Sequence, residues 1–84
     1  MELFRTATGY IVLKVSHPEY EEGFYKLWDG EFFAPLGDRP NWEQIGTLEN
    51  PPTPESLIEG TGLTQQWVDS FGERIAYWRE KLNP

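Results

Sequence analysis

Hydrophobic and polar positions alternate along the first third of this chain and recur at helical spacing along the last. In "YIVLKV", residues 10–15, Ile11, Leu13 and Val15 share one face while Tyr10, Val12 and Lys14 share the other. That period of two predicts a half-buried strand. The preceding "ELFRTA" pairs with it through a tight turn at Thr8-Gly9, a register that sets Phe4 on the same face as Leu13. "HPEYEEG", residues 17–23, then reads as a polar connection.

"FYKLWDGEFFAP", residues 24–35, predicts a hairpin. Asp29-Gly30 stands between two apolar runs, and a two-residue turn there needs positive φ at both central positions. With Trp28 opposite Glu31, one face carries Tyr25, Leu27, Phe32 and Ala34. The other carries Phe24, Trp28 and Phe33 with Lys26 and Glu31. Both faces are apolar, and two arrangements satisfy that. Either a helix covers one face and a long loop the other, or the Phe24/Trp28/Phe33 face meets a partner.

Residues 36–53 are rich in Gly, Pro and Asn, with a short strand expected at 44–48. Pro51-Pro52 imposes an extended path and separates a β-rich part, residues 1–50, from a helical part, residues 53–82. Thr53 as N-cap and Pro54 at the first helical position start a short helix, "PESLIE", which Gly60 ends. Thr64 caps a second helix, with Leu63 and Val68 as a hydrophobic staple. At 100° per residue Trp67, Val68, Phe71, Ile75, Trp78 and Leu82 fall within an arc of about 100°, a core-facing stripe on a helix about 27 Å long. The expected fold is therefore α+β in a single domain, residues 1–84. An antiparallel β-meander of three to five strands precedes a short helix and a long C-terminal amphipathic helix packed on the sheet.

Residues 54–73 resemble a helix-turn-helix. Leu57, Leu63, Val68 and Phe71 match the apolar positions that lock its two helices, Gly62 matches the turn, and "TGLTQQWV" is similar to the start of a recognition helix. The resemblance implies a DNA-binding regulator built on residues 53–82, with Gln65 and Gln66 towards base edges and Arg74, Arg79 and Lys81 towards phosphates. Two residues depart from the pattern. Ile58 stands where a small residue usually allows close helix approach, and Gly60 falls where the first helix should continue.

Charge weighs against the DNA reading. The chain carries 14 acidic and 7 basic residues, net −7, and neither half has a basic footprint. The helix face opposite the apolar stripe carries Asp69, Glu73 and Glu80, none with a Lys or Arg three or four residues away. Nucleic acid is thus the less favoured partner.

Chemistry is sparse. With no cysteine, neither a disulfide nor a thiolate metal site can form. His17 is the sole histidine, and Ser16 beside it on a strand end points away, so the pair is no dyad. His17, Glu19, Glu21 and Glu22 lack the spacing of a calcium loop, and "EGTGL" lacks the lysine of a phosphate loop. No enzyme, metal or cofactor is expected. No apolar run approaches about 18 residues, so no membrane partner is expected, and a cytoplasmic protein is.

These readings converge on a non-catalytic interaction module: an inhibitor, adaptor or accessory subunit. Its expected binding residues are Phe24, Trp28, Glu31, Phe33, Asp69, Glu73 and Glu80, suited to a partner protein with basic and apolar patches. A carbohydrate platform on exposed tryptophan is a more distant alternative.

Overall fold

The computed structural model describes residues 1–37, 42–53 and 65–82. Five strands precede a helix: β1 (Glu2–Arg5), β2 (Ile11–Val15), β3 (Gly23–Lys26), β4 (Phe32–Ala34), β5 (Glu43–Thr47) and α1 (Gln65–Leu82). They form one antiparallel sheet in the order β4-β3-β2-β1-β5, so β2 lies at its centre. The fold is α+β, a β-meander with a helix packed on the sheet. The expected short helix at 54–59, the turn at Gly62, the Thr64 cap and the Leu63/Val68 staple lie outside the described residues.

The central strand explains the layering. Ile11, Leu13 and Val15 face one way and Val12 the other, and all four are buried. A strand in this position is covered on both sides. On one side Leu3, Ile11, Leu13, Val15, Tyr25 and Leu27 meet Phe71, Ile75, Trp78 and Leu82 of α1. These four are the described part of the stripe read from the 3.6-residue period. On the other side Phe4, Val12, Phe24 and Ala34 are capped by Phe33, Leu36 and Trp42 from β4 and the connection towards β5. Of the two arrangements the sequence left open, the molecule has a helix on one face and a loop on the other.

Two turns are longer than expected, and each moves side chains between faces. In the first hairpin Leu3 pairs with Leu13 and Phe4 with Val12. Phe4 therefore lies opposite the face of Leu13, a one-residue slip from the expected register. The cause is a three-residue loop. Thr6 N–H donates to Tyr10 O (2.9 Å), Gly9 N–H donates to Thr6 O (3.0 Å) with Gly9 at φ 94°, and Thr6 Oγ1 accepts from Tyr10 N–H (3.1 Å). Gly9 supplies the left-handed residue that a three-residue hairpin loop requires.

In the second hairpin Lys26 N–H donates to Glu31 O (2.9 Å) and Gly30 N–H to Lys26 O (3.0 Å), leaving the four-residue loop 27–30 with Gly30 at φ 74°. The two-residue Asp29-Gly30 turn is thereby corrected. Leu27 and Trp28 leave the strand because the core needs them. Leu27 O accepts from Arg74 Nε (2.8 Å) and Trp78 Nε1 (2.9 Å), and Trp28 Nε1 donates to Ser70 Oγ (3.1 Å). The register then breaks between Phe24/Ala34 and Tyr25/Phe32, a bulge that places Ala34 with Phe24 rather than with Tyr25. Gly23 sits where a Cβ would come within 2.8 Å of Ala34 O, so β3 and β4 approach closely there only because the residue is glycine.

Arg79 completes the fastening of α1, donating from Nε to Leu48 O (2.9 Å) and from Nη2 to Glu49 O (3.0 Å). Tyr25, 8% exposed, lies in the same core with its hydroxyl donating to Glu21 O at 2.8 Å. Burial pushes its phenol above the ordinary 10.0, and the negative charges of Glu21 and of ionised Tyr20 add to the rise. A group raised on folding stabilises fully below its unfolded value, and that contribution fades as pH climbs through the folded one. Urea midpoints should therefore fall above about pH 10 in the wild type and fall less in Tyr25→Phe. Parallel pH profiles for the two proteins would show that Tyr25 is not the group responsible.

Candidate interaction surface

The expected Phe24/Trp28/Phe33 patch does not exist as one face. Phe24 is 1% exposed and its ring packs against Trp42 (4.9 Å between centroids) and Phe4 (5.7 Å). It belongs to the core, not to a binding surface. Trp28 is half-buried on the helix side against Phe71 (6.0 Å), while Phe33 is half-buried on the loop side against Trp42 (5.6 Å). The four-residue turn separates them, carrying Trp28 off the face that a two-residue turn would give it.

Glu31, Asp69, Glu73 and Glu80 are exposed. Among the described residues Glu73 and Glu80 make no ion pair, and Tyr77 between them on the helix is 39% exposed. Arg74 and Lys81 lie over the Tyr77 ring at 4.1 and 5.5 Å from its centroid. Of the residues assigned to the alternative DNA reading, Gln66, Arg79 and Lys81 are exposed and Arg74 is half-buried. The side chain of Gln65 lies outside the described residues. The guanidinium groups of both Arg74 and Arg79 are tied to backbone carbonyls, of the β3–β4 loop and of the residues after β5 respectively.

No family model, curated protein or solved structure matches this chain. The functional reading therefore rests on the surface itself.

Among the described residues two concave features combine aromatic and acidic groups, one of them of about 320 Å³ lined by Tyr77, Glu80 and Lys81 on α1. Where the β1–β2 and β3–β4 turns lie side by side, Gly9, Tyr10, Ile11, Lys26, Leu27, Trp28 and Asp29 line a groove of about 220 Å³. At its base Leu27 N–H donates to Ile11 O at 2.9 Å, and the side chains of both residues are buried in the core. Tyr10 is 48% exposed and is backed by Phe33 at 5.6 Å. Alternation along β2 sets Tyr10 on the face of Val12 and Lys14 and carries no sign of the groove, which the neighbouring turn completes. A larger cavity of about 390 Å³ is lined by Met1, Leu48, Glu49, Arg79 and Leu82. Its charges are already engaged: the Met1 amino group contacts Glu49 at 3.3 Å, and Arg79 is bound to the carbonyls. Among the described residues no helix is long and apolar enough to cross a membrane.

Proposed function

We propose that this chain is a non-catalytic interaction protein that docks a partner protein through an acidic surface with aromatic groups set into it. The observation that carries the reading is how the charges are deployed. Arg5 is bound to Glu43 at 2.7 Å, Lys26 stands 3.9 Å from both Asp29 and Glu31, and Arg74 and Arg79 are committed to backbone carbonyls. These four cations are thus engaged within the molecule, whereas the carboxylates of Glu73 and Glu80 are presented to solvent without an ion pair among the described residues. A surface of this sign attracts basic proteins over about a Debye length and repels polyanions.

The DNA-reading alternative asks Arg74 and Arg79 to bind phosphate while they hold α1 to the sheet, and it sets Glu73 in the path of a polyanion. Two measurements separate the readings. The intact chain, used as bait, is expected to retain a protein with a basic surface in a salt-sensitive manner. The Glu31→Gln/Glu73→Gln/Glu80→Gln variant, folded by circular dichroism, is expected to lose it. A duplex DNA mobility shift at low salt, steeply weakened by added salt, would sink the proposal and restore the alternative.

A further inference from the structure

We infer that the groove between the two hairpin turns is a docking site for an arginine side chain of the partner protein. The inference rests on the interaction reading above and names the group recognised. Its strongest support is a cation already present. The Lys26 ammonium lies 4.9 Å from the centroid of the Tyr10 ring and 3.9 Å from both Asp29 Oδ2 and Glu31 Oε2. An aromatic face and two carboxylates thus converge on one positive charge, and none of the three contacts is tight. At 3.9 Å the ion pairs are loose, and the Asp29 and Glu31 side chains remain 51% and 72% exposed. The carboxylates keep acceptor capacity for a second, better-shaped cation.

The groove selects arginine by shape and charge. A guanidinium is planar, stacks on aromatic faces and is weakly hydrated, whereas an ammonium is compact and strongly hydrated. Tyr10 supplies an aromatic face, Asp29 and Glu31 supply acceptors beside it, and Gly9, Ile11, Leu27 and Trp28 complete the lining of the groove. The aromatic face and one carboxylate are set before binding: Tyr10 rests on Phe33, and Asp29 Oδ1 accepts from Glu31 N–H at 3.0 Å. Little side-chain freedom remains to be lost on docking. The net charge of −7 favours approach of a basic segment and disfavours an anionic one.

The test is a nitrogen–proton correlation titration of the intact chain with the peptide acetyl-Gly-Arg-Gly-Arg-Gly-amide, using the citrulline peptide as its uncharged isostere. Shifts are expected at Gly9, Tyr10, Asp29, Gly30 and Glu31 with the arginine peptide alone. Asp29→Asn/Glu31→Gln, which keeps the Asp29 turn acceptor, should weaken binding about fivefold. Lys26→Met removes the internal competitor and should strengthen binding about threefold, a gain that a purely structural role for Lys26 does not produce. Equal shifts with citrulline, or no gain in Lys26→Met, overturn the inference. So does movement of the same resonances on dilution without peptide, which makes a second copy the occupant. Arginine-dependent shifts confined to Glu73, Tyr77 and Glu80 overturn the groove but leave the acidic interaction surface standing. No shift anywhere overturns both.

Discussion

Trp78→Ala is expected to lower the unfolding free energy by about 3–5 kcal/mol, the cost of emptying a large buried aromatic site. Trp78 is 2% exposed and packs in the main core, with its ring 6.0 Å from that of Tyr25. Its indole also donates to Leu27 O at 2.9 Å, so the substitution opens a void and removes one of the two donors holding that carbonyl. A chain of 84 residues is stable by roughly 4–12 kcal/mol in total, so the substitution removes between about a quarter and all of it. Thermal unfolding followed by circular dichroism should show a midpoint lower by about 15 °C or more, or no cooperative transition. Trp78→Phe keeps most of the ring volume and loses the donor, so it should cost only about 1–2 kcal/mol. A midpoint for Trp78→Ala within a few degrees of wild type would mean that α1 is not seated through this residue.

Phe24→Ala carries the second large effect, and it separates core from binding surface. Phe24 sits at the centre of the second layer, in edge-on contact with both Phe4 and Trp42. Truncation should again cost about 3–5 kcal/mol, because Trp42 and Leu36 lose the surface they cap. Glu31→Gln, at an exposed carboxylate one strand away, should change stability by no more than about 0.5 kcal/mol. Urea unfolding of the two variants side by side makes the comparison. An unchanged urea midpoint in Phe24→Ala would place the residue on the surface and contradict the two-layer packing.

These contrasts show why some of the molecule was legible from residues alone. The stripe Phe71, Ile75, Trp78 and Leu82 was read correctly because helix phase is local: each side chain's direction follows from 100° per residue, whatever the rest of the chain does. The faces of β2 were legible for the same reason, with a period of two. The faces of β1, β3 and β4 depend on where each turn closes, and turn closure is not local. Phe4 changed sides because Thr6 bonds Tyr10 across a three-residue loop. Trp28 left the strand where Arg74 and Trp78, 47 and 51 positions along the chain from Leu27, bind the Leu27 carbonyl, and Ala34 changed partners because a bulge breaks the β3–β4 register.

The candidate site follows the same division. Acidic side chains at 69, 73 and 80, the lack of compensating bases along the helix, and the excess of carboxylates are properties of composition and spacing, so they were determined by the sequence alone. The groove was decided by tertiary structure. Tyr10 and Asp29 stand 19 positions apart in the chain and line one groove only because β2 and β3 are neighbours and two hairpin turns emerge at the same end of the sheet. Periodicity reports which way a side chain points within its own element. Which elements meet is set by register, and register is chosen by the packing that satisfies the whole core at once.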